Sequence, residues 1–257
     1  MPEFCKVERD GHLLVVTLNR PDVMNALHPP ANFELEKVFD DFVADPDLWV
    51  AILTGAGDRA FSAGNDLKFT AQSGGKLDIN PKGFAGITAR FDNPKPLIAA
   101  VNGVAMGGGF EIALACDLIV ASENAVFALP EPRVGLAALA GGMHRLPRAI
   151  PLKQAMGMLL TGRRVSAREG EKLGFVNEVV PQPELIAAAK RWAAQIVECA
   201  PLSVRASKQS AYEGLDRPLD EAMRARYEQV VAMVKSEDFL EGPRAFAEKR
   251  PPRWKGR

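Results

Sequence analysis

The stretch NGVAMGGGFEIALACD, residues 102–117, sets one carboxylate among small and apolar residues: Gly107–Gly109 run through Phe110 into Glu111, and Ile112 follows. A carboxylate in such surroundings is costly unless it is paired, protonated or used. The three glycines end a strand-like run and open a helical one, where the first N–H groups have no intrahelical acceptor and the macrodipole favours negative charge. Without a Cβ, Gly108 lets a ligand oxygen approach the backbone, so the turn suits an oxyanion. Glu111 lies three residues after Gly108 and shares its side of the first turn. The same residues also admit a structural reading: close helix–strand packing, with a glutamate at the favourable end of the dipole.

A second glycine turn, AFSAGNDL (60–67), follows an apolar run at 50–54 and offers further backbone N–H groups near a helix start. Asp66 there also fits a helix cap. Two such turns after neighbouring strands can aim N–H groups at one carbonyl oxygen as charge develops on it. In FALPEPRVGL (127–136), Glu131 stands between Pro130 and Pro132 where the chain leaves a strand-like run. Ends of strands are favoured places for sites in α/β folds, although an exposed loop glutamate would look the same. Two carboxylates facing one pocket, one kept protonated by burial or repulsion, form an acid/base pair.

Other chemistries lack their residues. No G-x-S-x-G elbow occurs, nor G-x-G-x-x-G after a strand, nor G-x-x-x-x-G-K-[ST]. His12, His28 and His144 have no metal spacing; His144 reads as structural or solvated, though it could line a cavity. Cys5, Cys116 and Cys199 are scattered and odd in number, so neither a disulfide framework nor a metal site is expected. Lys and Arg balance Asp and Glu at 32 each, which gives no overall field toward nucleic acid or anionic lipid. The N-terminus lacks an apolar targeting segment, and the apolar run near 112–121 is broken by Asp117. The expectation is a soluble, cytoplasmic protein.

The elements that must hold these residues follow from periodicity. Short β-branched or apolar runs at 13–22, 49–58, 97–109, 117–122 and 125–131 alternate with helical patterns such as ANFELEKVFDDFVAD, with its apolar Phe33, Val38, Phe39 and Phe42. That alternation argues for an α/β fold with a largely parallel sheet. Strand signals vanish from residue 183, and Ala-, Arg- and Glu-rich helical runs continue to the end. A boundary is expected near residue 200, dividing a core carrying the site (1–200) from a C-terminal helical region (201–257). The segment 70–83 lacks periodicity and reads as a surface loop.

Taken in order, LNRPDVMNAL (18–27), FSAGNDL, AAVNGVAMGGGFEIALACD, FALPEPRVGL, GGMHRLPR and LTGRRVSAREGEKLGFVNEVV (160–180) resemble the enoyl-CoA hydratase/isomerase (crotonase) family over almost the whole chain. KGFAGITARF and SEDFLEGPRAFAEKRPPRWKGR look particularly like its carnitinyl-CoA dehydratase (crotonobetainyl-CoA hydratase) branch. The resemblance implies a spiral of ββα units with a C-terminal helical trimerisation region, assembled as a homotrimer or a dimer of trimers. It places the thioester oxygen between the N–H groups of Asn65 and Gly108. Glu111 would help activate water for attack at C3, and Glu131 would exchange the proton at C2. Contacts to coenzyme A and the acyl group would fall on Val23, Met24, Ala26, Ala63, Asp66, Leu67, Gly107, Pro130 and Leu139. Phe246 and Lys249 would add contacts from the C-terminal helices, often from a neighbouring subunit. No metal or separate cofactor is implied, because coenzyme A enters as part of the substrate.

Two positions depart from the family pattern. Asp22 stands where relatives often carry a lysine near the CoA phosphates. In GLAALAGG, Ala138 and Leu139 stand where Pro-Gly is common, and the glycine replaced by Leu139 has its N–H near the catalytic water in hydratases. The implied reaction is reversible syn hydration of a 2,3-enoyl-CoA. Dehydration of a carnitine-like thioester and double-bond isomerisation are alternatives on the same fold. A non-catalytic acyl-CoA-binding or RNA-binding relative is a further one, opposed by the two glutamates and the zero net charge.

Overall fold

The computed structural model describes residues 2–72 and 80–257. Half of the loop expected at 70–83, residues 73–79, lies outside them, and residues 70–72 instead close a short helix. The chain begins with an antiparallel pair, β1 (Cys5–Asp10) and β2 (Leu13–Leu18). Helix α1 (Pro29–Ala44) follows. Pro29 and Pro30 preset its first turn, and the His28 side chain accepts the Ala31 N–H at its start. Its buried stripe is Ala31, Leu35, Phe39 and Phe42, a period of three to four residues. Phe33 falls off that stripe and is exposed, so its apolar character did not report burial.

From there the chain repeats one motif, in which a strand of one sheet is followed within a few residues by a strand of a second. β3 (Val50–Gly55) leads to β4 (Ala60–Ser62) and helix α2 (Leu67–Gln72). β5 (Leu97–Val101) leads to β6 (Val104–Met106) and α3 (Gly108–Ala115). β7 (Leu118–Ser122) leads to β8 (Val126–Ala128) and α4 (Gly142–Ala149). The apolar run at 97–109 therefore holds two strands of different sheets, broken at Asn102-Gly103. After α5 (Leu152–Thr161), β9 (Val165–Ser166) and α6 (Ala167–Leu173), the strand β10 (Glu178–Val180) completes the first sheet.

The six-stranded sheet has the order β1-β2-β3-β5-β7-β10 and is parallel except for the first pair. The four-stranded sheet, β4-β6-β8-β9, carries the parallel neighbours that lead to the glycine turns and to Glu131. The central strands are buried on both faces, which explains their continuous apolar runs. Leu14, Val16, Leu53, Ala99 and Ala121 face the main core, and the alternate residues Leu13, Val15, Ile52, Ile98 and Val120 face the other way. That second face is covered by α7 (Leu185–Val197) through Leu185, Ala188, Ala189 and Ala193. Beyond β10 the chain is helical: α8 (Pro201–Gly214), α9 (Leu219–Arg224), α10 (Glu228–Val234) and α11 (Glu237–Ala247).

Asn102, at the break between β5 and β6, ties the two sheets together. Its side-chain amide donates to the carbonyls of Gly55 and Gly57 at 3.0 and 2.8 Å, and its Oδ1 accepts the Gly55 N–H at 3.2 Å. One side chain thus sets the β3–β4 turn against the β5–β6 turn, and so fixes the relative position of the two glycine loops beyond them.

Candidate active site

The turns after β4 and β6 lie side by side. Gly64 has φ +86°, and a Cβ built there would stand 2.7 Å from the Met106 carbonyl and 2.8 Å from the Gly108 nitrogen. Only a glycine fits both the backbone conformation and the space. Gly108 opens α3, where N–H groups lack intrahelical acceptors. The Phe84 ring packs where a Gly108 Cβ would be, at 2.7 Å. Asn65 forms an isolated parallel bridge with Leu27, and its own N–H has no protein acceptor among the described residues. Two backbone donors without a protein acceptor among the described residues therefore lie at the mouth of these turns.

Both open onto a cavity of about 1610 Å³ that Asn65, Gly108, Glu111, Glu131 and Leu139 help to line. Glu111, in the first turn of α3, is only 3% exposed. Its Oε1 accepts the Gly142 N–H at 2.9 Å, so the start of α4 faces the start of α3 across the carboxylate. Burial pushes its carboxyl up to about 7; the Gly142 N–H opposes this, the charge of Glu131 adds to it, and the Ala140 N–H and Arg145 offset part.

Glu131 opens a short 3-10 turn after β8, with Pro130 at its cap. Its carboxyl is likewise raised, by burial. Oε2 is buried with no protein hydrogen-bond partner among the described residues, and Oε1 rests against Gly107. Gly107 has φ +53°, and a Cβ there would come within 2.8 Å of that oxygen. The pair thus contains a carboxylate held by a backbone donor and one with an unused oxygen, both displaced toward neutrality. Such a pair can pass a proton each way beside a carbonyl polarised by two N–H groups.

The residues expected at coenzyme A divide into two groups. Val23, Met24, Ala26, Ala63, Asp66 and Leu67 stand together behind Asn65, joined by bonds such as Ala63 N–H to the Met24 carbonyl at 2.9 Å. Leu67 is exposed, as is Asp22. Phe246 and Lys249 are not brought to the cavity within one chain: Phe246 is 87% exposed at the end of α11, and Lys249 follows in a left-handed turn. Leu139 is 75% exposed on the cavity wall, and its N–H is turned back to the Ala137 carbonyl at 2.8 Å. The donors beside Glu111 are instead Ala140 and Gly142. His144 is exposed on the same wall.

Three contributors escaped the sequence reading. Gly142 leaves no room for a side chain, since a Cβ would meet Ala138 at 2.9 Å and Glu111 at 3.1 Å; the glycine pair in GGMHRLPR was its signal. Arg145, three residues on, brings a half-buried guanidinium to the cavity, with Phe91 at 5.9 Å beneath it. Phe84 comes from a distant loop, and no local pattern announces it.

Known proteins are similar to this chain along its whole length. Residues 8–257 match the family described as Enoyl-CoA hydratase/isomerase. A carnitinyl-CoA dehydratase of Salmonella typhi is 47% identical over 262 residues, with both chains fully covered. Among solved structures, an enoyl-CoA hydratase from Mycobacterium tuberculosis H37Rv superposes with a TM-score of 0.93 at 39% identity. The enoyl-CoA hydratase EchA1 from Mycobacterium marinum gives 0.93 at 40%, and both cover each chain completely. With a full-length match in sequence and fold around the two glycine turns, the chain belongs to the enoyl-CoA hydratase/isomerase family.

Proposed function

We propose that the protein is a hydro-lyase that adds water reversibly across the 2,3 double bond of an enoyl-CoA thioester. One observation carries the reading: two carboxylates of raised pKa, Glu111 and Glu131, line the same cavity as the unused N–H donors of Asn65 and Gly108. The thioester oxygen sits between the two N–H groups, so that negative charge arriving there on attack at C3 is met by fixed dipoles. Glu111, oriented by Gly142, takes a proton from the attacking water. Glu131 delivers its proton to C2 from its unused oxygen. With both carboxylates on one face of the double bond, addition is syn. These steps draw on no metal or redox cofactor, and coenzyme A arrives with the substrate.

The coenzyme A moiety lies along Val23, Met24, Ala26, Ala63, Asp66 and Leu67, with Gly107, Pro130 and Leu139 shaping the acyl side. Phe246 and Lys249 reach a neighbouring subunit's site in a homotrimer or a dimer of trimers. Support comes from the exposed apolar side chains of the C-terminal helices, with Leu219, Met223, Leu240 and Phe246 each at least 67% exposed. A cytoplasmic location suits a CoA thioester substrate, and no helix among the described residues is long and apolar enough to cross a membrane.

A second reading keeps the machinery and narrows the substrate to a carnitine-like thioester. The full-length similarity to a carnitinyl-CoA dehydratase favours it, and Phe84, Phe91 and Tyr212 give the cavity aromatic faces for a trimethylammonium group. The test is the loss of conjugated-thioester absorbance with crotonyl-CoA, a longer enoyl-CoA and crotonobetainyl-CoA, beside Glu111→Gln and Glu131→Gln. Hydration of one substrate, slowed about 10²–10⁴-fold in each variant, supports the proposal, and the preferred substrate chooses between the readings. Binding without hydration, with the double bond moved in the product, would replace both by an isomerase.

A further inference from the structure

Arg20 follows β2 and belongs to neither the glutamate pair nor the cavity wall. Its Nη1 donates to the Ala26 carbonyl at 2.5 Å and to Asp66 Oδ2 at 3.0 Å. The two charged side chains are 19% and 12% exposed, so this ion pair is shielded from solvent. Asp66 is fully engaged inside the protein. Its Oδ1 accepts the Phe69 N–H at 3.1 Å, and its carbonyl accepts from the Thr70 N–H and hydroxyl at 3.0 and 3.1 Å. Burial alone would raise the Asp66 carboxyl, but the Phe69 N–H and Arg20 hold it below the usual carboxylate range.

The residues that Arg20 joins flank the Leu27–Asn65 bridge. The Leu27 N–H donates to the Gly64 carbonyl at 2.8 Å and the Asp66 N–H to the Leu27 carbonyl at 2.9 Å, leaving the Asn65 N–H between them. A second path begins at the Arg20 N–H, which donates to Asn25 Oδ1 at 3.0 Å. The Asn25 carbonyl accepts the Ser62 hydroxyl at 2.8 Å, and that hydroxyl accepts the Gly64 N–H at 3.1 Å. Both neighbours of Asn65 are thus tied back to one arginine, by its side chain on one side and its backbone on the other.

We propose that Arg20 is a positioning residue for the oxyanion site: by clamping Ala26 to Asp66 it fixes the direction in which the Asn65 N–H meets the thioester oxygen. The proposal rests on the reading that Asn65 and Gly108 hold that oxygen. Removing such a donor outright costs roughly 10²–10³ in rate. Loosening one should cost a fraction of that, because hydrogen bonds weaken steeply with misalignment.

The test uses a dialkylaminocinnamoyl-CoA, whose absorption band moves to the red when its carbonyl accepts hydrogen bonds. Bound spectra, kcat and KM are measured for wild type, Arg20→Gln, Arg20→Lys, Asp66→Asn and the Arg20→Gln/Asp66→Asn double variant. The expected result is a red shift in wild type that shrinks in Arg20→Gln and Asp66→Asn. In both, kcat should fall about tenfold, with KM changed less than about threefold in Arg20→Gln, and Arg20→Lys should recover part of both signals. The double variant should be no worse than the poorer single one, since one contact is removed by either change. If wild type gives no red shift, the oxyanion reading itself fails. If wild type shifts and Asp66→Asn and Arg20→Gln shift equally at unchanged kcat, the reading stands and the role of Arg20 is overturned. Should Arg20→Gln fail to fold, Asp66→Asn, which preserves shape while removing the charge and one of the two acceptors used by Arg20 and Phe69, decides.

Discussion

The Gly142 N–H donates to Glu111 Oε1 at 2.9 Å, joining the first turns of α4 and α3 across a buried carboxylate. There is no space for a side chain between them: a Cβ on Gly142 would meet Ala138 at 2.9 Å and Glu111 Cγ and Oε1 at 3.1 Å. Gly142→Ala should therefore push Glu111 off its donor. The expected outcome is a fall in kcat of about 10–100-fold with KM little changed, since the lost term belongs to the chemical step. Steady-state kinetics with an enoyl-CoA check it; equal losses in kcat and in affinity would refute it.

Gly107→Ala should act on the other glutamate. Its φ of +53° strains any side chain, and the new Cβ would stand 2.8 Å from Glu131 Oε1. A loss of about 1–3 kcal/mol in stability is expected from the backbone, together with loss of proton transfer at C2. Exchange of the C2 proton with deuterated solvent reads the second effect separately from thermal unfolding, which reads the first.

The raised carboxyls predict the pH dependence of activity. Glu111, at about 7, must be ionised to take a proton from water. The rate at low substrate should accordingly rise through the neutral range as pH increases, with an apparent pKa that belongs to the coupled pair. In Glu111→Gln the residual activity should lose the rising limb; a limb that persists unchanged would assign it to another group.

The same shift has a consequence for stability. Glu111 is held at about 7 in the folded chain against a reference of 4.5, so between those values the folded state binds more protons than the unfolded one. Stability should fall as pH rises through that window, with the full cost, on the order of 3 kcal/mol at most, present above about 7. Glu111→Gln removes the charge but keeps an acceptor for Gly142. It should raise the thermal midpoint at pH 8 and leave it nearly unchanged at pH 4.5. A larger gain at the acid end would reverse the argument.

Asn102→Ala should loosen the scaffold that holds the glycine turns. It would strand the Gly55 N–H and leave the Gly55, Gly57 and Ala60 carbonyls without this donor. Each buried polar group left unpaired costs about 1–3 kcal/mol, so a loss of about 2–4 kcal/mol is expected in denaturant unfolding. A change under 0.5 kcal/mol would show that the Asn102 amide does not hold the turns.

Much of the site is local chemistry and could be read from the chain. A glycine run opening a helix exposes N–H groups wherever it occurs, and Glu111 three residues later must share their side, because helix geometry fixes both. The strand–turn–helix alternation and the doubly buried sheet follow from continuous apolar runs. The boundaries were harder. Residues 97–109 look like one strand, and only the Asn102 contacts, made to residues more than forty positions away, show where the chain turns from one sheet into the other. Phe33 is apolar yet exposed, because which side of α1 faces inward is set by what it packs on.

The sequence alone therefore determined the residue types, their order and the family. Tertiary structure decided who meets whom. Gly142 as the donor to Glu111, Phe84 over Gly108, Arg145 in the cavity and the Arg20–Asp66 clamp behind Asn65 all join residues far apart in the chain. Hydrogen bonds and close contacts act over a few ångströms, whatever the sequence separation. No periodicity encodes them, and they exist only once two packed sheets have brought the turns together.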